Sequence, residues 1–430
     1  MRLWPTSLPN YAWPPELAGR RSAPRRWMLA LLFHAANLIG RLVSLIDRNQ
    51  RRVLIIRTDG MGDALLSEPL LRSLARSMPR YRIHLWAPQL ACEMLFHCPA
   101  IDHAMSIPRG FRDGNLEYFG SAKCRMKLGY ALGRWTFAKA IYPAQSPEPL
   151  GNWLLESART SQRWLNSGDT INQFEQQRRE AHAIATRLLD RIPGNVHELT
   201  ANAHLARQWD DPTPLGKPIV HLTDRIQRRA RAQLSAWRLE MRRVNGREMI
   251  GVVPSASMAI NRYPDERWIS ALRKLWMQRR AVPVLLGGPD DQAAIARLAG
   301  LLKAAQVPCL RLFMRSAILD MAALVQELDG VISVDTGLAH LAIAQEVPTV
   351  VLVGGGNPGR FFPWPAAAHH VVLNVATPCA GCNNRCNQPE AICITQIAPE
   401  EIASAYSRLK TRSVAVQLFV GGPPVYQKAG

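Results

Sequence analysis

The chain has 430 residues, 47% of them apolar, with 28 glycines and 53 Lys+Arg against 33 Asp+Glu, a formal charge of +20. That length is too great for one ordinary core, so two domains are expected, and the composition fits a well-packed soluble α/β protein. The basic excess asks for an anionic partner; with no compact basic block interleaved with aromatics, an acidic membrane face or anionic glycolipid is favoured and nucleic acid is not.

Residues 1–24 hold Pro5, Pro9, Pro14, Pro15 and Pro24 and lack the apolar run of a signal peptide. Residues 25–48 read as an amphipathic helix. His34, Asn37, Arg41, Ser44 and Arg48 fall three or four apart, and these polar interruptions argue against a bilayer span. With Arg20, Arg21, Arg25 and Arg26 alongside, the helix suits the plane of a membrane; packing on its own domain or on a second subunit is the alternative.

Residues 52–57, RVLIIR, form a buried strand that Thr58-Asp59-Gly60-Met61-Gly62-Asp63 turns into a helix over 64–78. Gly60-x-Gly62 begins a dinucleotide fingerprint, but Leu65 stands where the third glycine belongs. Asp63 occupies the first helical turn beyond the strand, where an acid either steadies the helix or acts as a catalytic base. Strands follow at 83–86 and 139–142. The basic stretch 108–136 between them reads as irregular, either a solvated loop or a grip on acceptor phosphates. A helix over 173–189 and a linker over 209–217 close this half.

A second series begins with a strand at 219–222 and a basic helix at 227–243. A strand at 249–253 leads into Pro254-Ser255-Ala256-Ser257, and a helix covers 265–279. The strand at 284–288 ends in the turn Gly287-Gly288-Pro289-Asp290-Asp291, whose acidic residues suit ribose hydroxyls, with Gly288 and Asp290 taken as donor-binding. Beyond 310–313 and 319–328, the strand at 331–334 passes through Asp335-Thr336-Gly337 into a helix over 338–344, then a strand at 349–353: a βαβ unit. Free N–H groups and the dipole at that helix start favour a phosphate, and Asp335 suits sugar hydroxyls; the alternative is that Asp335 and Thr336 only cap the helix. The loop 354–359 matches two phosphate patterns, but Pro358 interrupts it and Arg360-Phe361 replaces Lys-Ser/Thr. Dehydrogenase and nucleotide-hydrolase readings are thereby demoted, while glycines such as Gly355 still allow a ligand close to the backbone. A final helix spans 399–410. Two parallel-sheet domains facing a cleft is the expected architecture.

Eight cysteines without a signal peptide point to a reducing compartment. Cys379, Cys382, Cys386 and Cys393 are spaced C-x2-C-x3-C-x6-C, with Gly381, Asn383 and Asn384 for tight turns. Four thiolates suit a closed, non-catalytic zinc site, or iron; unligated buried thiols and disulfides are the alternatives.

Taken together, RVLIIRTDGMGDALLSEPLLRSL at 52–74, NRYPDERW at 261–268, LLGGPDD at 285–291 and VDTGLAHLA…VPTVVLVGGGNPGRFFPW at 334–364 resemble the ADP-heptose:lipopolysaccharide heptosyltransferase family, glycosyltransferase family nine. The resemblance implies a GT-B fold of two Rossmann-like domains: an acceptor domain at 51–215 and a nucleotide-sugar domain at 216–398 that carries the cysteine segment 379–393. Residues 1–50 and a helix and tail at 399–430 flank them. It implies inverting transfer, with no metal or cofactor for catalysis, from ADP-heptose or another nucleotide sugar to a lipopolysaccharide core or related anionic glycolipid. The expected location is cytoplasmic, peripheral on the inner membrane. By the same resemblance Asp63 takes the acceptor proton, Thr336 and Gly337 cradle the leaving diphosphate, Asp335 meets the donor sugar and His340 is the motif histidine. Ser257, Asn261 and Arg262 lie in the segment that meets the donor phosphates. Ser255 and Asn261 replace the family's usual glycine and lysine, which leaves room for another donor sugar, a protein acceptor, or a non-catalytic scaffold that binds nucleotide or membrane.

Overall fold

The computed structural model describes residues 23–45, 51–107, 122–209, 211, 213–313, 318–365, 367, 369–410 and 416–420. Residues 1–22, Arg48 and the basic stretch 108–121 lie outside them. Six strands, β1 (Arg52–Ile56), β2 (Arg82–Pro88), β3 (His103–Ile107), β4 (Lys139–Tyr142), β5 (Arg163–Asn166) and β6 (Arg187–Leu189), form one sheet in the order β3-β2-β1-β4-β5-β6. Seven more form the other: β7 (Glu248–Val253), β8 (Ala281–Gly287), β9 (Leu310–Phe313), β10 (Gly330–Val334), β11 (Thr349–Leu352), β12 (His370–Val375) and β13 (Val416–Val420), ordered β13-β12-β11-β10-β7-β8-β9. Every pairing in both sheets is parallel. Parallel strands are covered on both faces, which is why β1 and β10 are buried along their whole length and are mostly apolar, with Arg52 and Ser333 as their polar members.

In each sheet the chain first steps outward and then crosses back to the other side. The reversal falls between β1 and β4 in the first sheet and between β7 and β10 in the second. Open α/β sheets bind ligands in the crevice at such points, beyond the carboxyl ends of the strands.

Several expected elements are corrected. The helix over 64–78 begins earlier and is two helices, Met61–Leu66 and Glu68–Ser77, with Pro69 in the first turn of the second. The helix over 173–189 stops at Ile184, and Arg187–Leu189 is the edge strand β6. Residues 219–222 are linker, not strand, because the buried carboxylate of Glu68 holds them: Ile219 N donates to Oε2 (3.1 Å) and His221 Nε2 lies 3.1 Å from Oε1, while Arg72 binds both oxygens at 2.7 and 3.1 Å.

Within the stretch expected to be irregular, Ala122–Arg134 is a helix, and helix Ala23–Ser44 packs against it. The approach is so close that a Cβ on Gly129 or Gly133 would strike the carbonyl oxygen of Phe33 or Asn37, and one on Gly40 that of Tyr130. Asn37 Nδ2 donates to the Gly129 carbonyl at 3.1 Å. The far side of the first helix leaves Met28, Leu31, Leu38, Leu42 and Leu45 exposed. Among the described residues no helix is long and apolar enough to cross a membrane.

Candidate active site

Beyond β1, Arg57 and Thr58 stay buried, and Gly60 holds an extended backbone (φ −72°, ψ 173°) that starts helix Met61–Leu66. Asp63 projects from the first turn of that helix and is partly exposed. Beyond β10, Asp335 and Thr336 lead into helix Gly337–Ala344. The two helix starts come from opposite domains and meet. A Cβ on Gly62 would lie 2.7 Å from Cδ2 of His340, and one on Gly337 would strike Met61. Only glycine at these places lets the switch points of the two sheets face each other so closely.

The electrostatics record that meeting. Burial, with the Asp63 charge added, pushes the Asp335 carboxyl up to about 6. Thr336 occupies the N-cap position, but its side chain makes no capping bond and its Oγ1 instead lies 3.1 Å from Ser333 Oγ. Capping therefore does not explain why these side chains are here.

Around Asp63 sits a set of charges that sequence reasoning missed. The buried Arg57 grips Asp59 with Nε (3.1 Å) and Nη2 (2.5 Å), and Nη2 reaches the Asp63 carbonyl at 3.4 Å. Burial drives the Asp59 carboxyl above its ordinary value; Arg57 opposes this, and Asp63 and Glu198 add to it. Arg360 of the second domain holds Glu198 of the first through Nη2 (2.7 Å) and Nε (2.8 Å), with Asp169 at 3.8 Å. Glu198 N donates to the Arg360 carbonyl (2.9 Å), His197 Nε2 lies 2.9 Å from the Phe361 carbonyl, and Asn195 Nδ2 donates to that of Pro358. Arg360, expected only as the residue that spoils a phosphate loop, is thus an interdomain ion pair. The one local signal was an arginine directly after a buried strand, at Arg57.

His340 is buried and stacked on Phe362, with centroids 4.2 Å apart and an interplanar angle of 14°. Trp364 Nε1 can only donate, and does so to His340 Nδ1 (3.0 Å), so the neutral ring carries its proton on Nε2. Burial lowers its pKa to about 3, so it offers no cation to a phosphate at neutral pH. It is a spacer between the domains, pressed against Gly62.

The remaining expected donor residues divide. Ser255 and Asn261 are buried after β7, beside Asp335 at the same switch point; Ser255 Oγ has no partner among the described residues, and Asn261 Oδ1 lies 3.3 Å from a Cβ built on Gly354. Ser257 and Arg262 are exposed, with Arg262 Nε 3.3 Å from the Ala256 carbonyl. Gly288 and Asp290 follow β8, one strand further out; Gly288 N donates to Asp291 (2.8 Å) and Asp290 is exposed.

Gly355 lies beneath the cysteine segment. Its carbonyl accepts from Gly381 N at 2.7 Å, and that of Gly356 from Asn383 N at 2.8 Å. The segment makes the tight turns expected of it, with φ of 91° at Gly381, 51° at Asn383 and 58° at Asn384. Burial, joined by the charges of Cys379, Cys382 and Cys386, pushes the Cys393 thiol up. No three of these sulfurs lie within 4.8 Å of one another. Among the described residues the group that does close is Glu68, Cys98 and His221, whose carboxylate is already taken by Arg72 and the linker.

The sequence model of glycosyltransferase family 9 (heptosyltransferase) matches residues 169–391, just over half of the chain. The chain belongs to this family. It is 24% identical to lipopolysaccharide heptosyltransferase 2 of Escherichia coli K12, over 71% of this chain and 84% of that one. It is 29% identical to lipopolysaccharide heptosyltransferase 1 of Pseudomonas aeruginosa, over 33% of this chain and 42% of that one. Among solved structures, a glycosyl transferase family 9 protein from Veillonella parvula superposes with a TM-score of 0.67 at 17% identity, covering 85% of this chain and 99% of that one. E. coli ADP-heptose lps heptosyltransferase II gives 0.60 at 20%, covering 83% and 98%. E. coli heptosyltransferase WaaC, solved with ADP-2-deoxy-2-fluoro heptose, gives 0.56 at 17%, covering 84% and 99%. The family 9 protein is therefore a glycosyltransferase of GT-B fold, with two doubly wound domains and their switch points turned toward each other.

Proposed function

We propose that this family 9 enzyme moves heptose from ADP-heptose to the core of an anionic lipopolysaccharide-type glycolipid, with inversion and without a catalytic metal. The observation that carries the reading is the pairing of Asp63 and Asp335 from opposite domains, close enough for one charge to raise the other's pKa. The relatives named lipopolysaccharide heptosyltransferases and the similar fold solved with an ADP-heptose analogue support the donor and acceptor classes.

In this mechanism Asp63 takes the proton of the acceptor hydroxyl as that oxygen attacks the anomeric carbon. The bond to the diphosphate breaks on the opposite face. Positive charge growing on the anomeric carbon meets the two carboxylates, while the departing diphosphate gathers charge in front of Thr336 and the N–H groups of Gly337 and Leu338, ahead of Ala339, whose own N–H donates to the Thr336 carbonyl. Asp335 holds donor hydroxyls and Gly288 and Asp290 the ribose. Ser257, Asn261 and Arg262 flank the phosphates, with the unpaired Ser255 hydroxyl as a further donor. Asn261, where the family usually carries lysine, favours a second reading in which the donor sugar differs; turnover of a panel of nucleotide sugars separates the two.

On this reading the enzyme works at the cytoplasmic face of the inner membrane as a peripheral protein, where a glycolipid acceptor is reached. Support comes from the exposed Leu31, Leu38, Leu42 and Leu45 and from the +20 charge. Cys379, Cys382, Cys386 and Cys393 have the right chemistry for a structural zinc or iron, although the sulfurs must draw together to close on it. Metal analysis is expected to find one ion per chain, lost in Cys382→Ser together with a lower Tm; metal-free protein of unchanged Tm refutes the site.

The deciding assay supplies ADP-heptose and heptose-free lipopolysaccharide. One heptose should be added with inverted anomeric configuration, at the same rate in EDTA. Asp63→Asn should slow transfer by about 10²–10⁴-fold while ADP affinity is kept. Full-rate transfer by that variant, or a retained configuration, overturns the mechanism.

A further inference from the structure

The Arg57 guanidinium lies beside the proposed base and yet does not pair with it. Its Nη2 reaches the main-chain carbonyl of Asp63 at 3.4 Å, while the Asp63 carboxylate makes no ion pair or hydrogen bond among the described residues. Asp59 holds the guanidinium instead, accepting from Nε at 3.1 Å and from Nη2 at 2.5 Å. We propose that Asp59 is a positioning residue for the transfer: it engages and neutralises Arg57, and so leaves the Asp63 carboxylate basic enough to take the acceptor proton; this rests on the transfer reading above.

The turn after β1 does not need this pair to keep its shape. Arg57 N donates to the Trp86 carbonyl at 2.8 Å, Thr58 Oγ1 lies 2.8 Å from the Tyr142 hydroxyl, and that hydroxyl accepts from Glu148 N at 2.9 Å. Nor does the pair satisfy the whole arginine. Arg57 Nη1 is buried and has no partner among the described residues. With its side chain only 1% exposed, the guanidinium cannot turn to water. Without the grip on Nε and Nη2, its charge is left to the next carboxylate, that of Asp63.

The neighbouring groups leave that carboxylate few other cations. Helix Glu198–Ala206 brings Glu198, which Arg360 already holds at 2.7 Å. From β4 comes the Tyr142 phenol, which burial keeps protonated. The second domain supplies Asp335, which is raised by burial and by the Asp63 charge, and the neutral ring of His340. Burial works against the Arg57 charge, but Asp59 first, then Asp63 and Glu198, outweigh it. A cation that close lowers a carboxyl's pKa by about 1–3 when nothing else neutralises it. A carboxylate stabilised in this way is a poorer base.

The test follows the Asp63 carboxyl itself, by carboxyl-carbon NMR titration of the full chain labelled in its aspartates, the resonance being assigned by its loss in Asp63→Asn. In Asp59→Asn that carboxyl should titrate about one pH unit or more below the wild type. Turnover should follow, with kcat about tenfold lower, its acidic limb displaced to lower pH and the KM for ADP-heptose unchanged. Adding Arg57→Gln to Asp59→Asn removes the cation and should return both titration and kcat toward wild type. An Asp63 titration that stays put or rises in Asp59→Asn overturns the proposal, as does a double variant no better than the single one. If Asp59→Asn does not fold, Arg57→Gln decides: Asp63 should titrate above wild type, and an unmoved titration overturns the proposal. A wild type that transfers no heptose sinks the transfer reading instead, while the carboxyl titration still decides what Asp59 does to Asp63.

Discussion

Asp335 is held where ionising is costly, and that gives it a signature in stability. Its carboxyl keeps a proton up to about pH 6 in the folded protein, against an ordinary value of 3.8. Between those values the native state binds more protons than the unfolded chain, so its contribution is full below about pH 4 and is lost as pH rises to 6. From pH 4 to 6.5 the wild type should lose on the order of 1–2 kcal/mol relative to Asp335→Asn, read from urea unfolding at each pH. A constant difference between the two proteins would mean that Asp335 ionises freely. The same crowding suits the proposed mechanism, in which positive charge develops beside these carboxylates.

At the scale of elements, the decisive contact is the meeting of helix Met61–Leu66 with helix Gly337–Ala344. Neither side tolerates a Cβ, but the two neighbours differ in how far they can yield. His340 is fixed by the Phe362 stack and the Trp364 hydrogen bond, so Gly62→Ala must move a buried ring. Gly337→Ala meets the end of the flexible Met61 side chain. Gly62→Ala should therefore cost about 1–3 kcal/mol and lower transfer, with Gly337→Ala milder in Tm. The reverse order would show that His340 is free to step aside. Helices Ala23–Ser44 and Ala122–Arg134 use the same device, with Gly40, Gly129 and Gly133 as the points of closest approach. Glycines and basic residues made the second of these look irregular in sequence; here the glycines are the contact surface.

Among the described residues the two domains are also joined away from that helix contact, for example where helix Gln89–Met94 packs on helix Ile318–Gln326. Glu68 anchors the linker, and Arg360 with Glu198 ties the second domain's loop to the first domain. Outside them, the helix Ala23–Ser44 turns one face to its own domain and leaves Leu31, Leu38 and Leu42 in solvent. Replacing those three leucines by glutamine removes apolar surface without touching Phe33, Ala36 or Gly40. Binding to anionic vesicles should fall by about tenfold or more, weaken further with added salt, and leave Tm unchanged. Unaltered partitioning would assign the face to some other partner.

Much of this was readable in the chain itself. Strands buried on both faces are mostly apolar, so β1, β4, β10 and β11 are legible within a residue of their ends, as is the edge strand β9, and the turns carrying Asp63 and Asp335 follow from β1 and β10. β6 was hidden because it is a three-residue edge strand with two exposed positions, and residues 219–222 misled because their backbone and His221 bond to the buried Glu68 carboxylate instead of to a neighbouring strand. Only the tertiary structure decided which charges meet. Glu198 and Arg360 stand 162 residues apart, and neither one's surroundings in the chain name the other. Periodicity is a local property that one stretch can display, whereas a buried ion pair or a glycine contact exists only once two distant surfaces have been brought together.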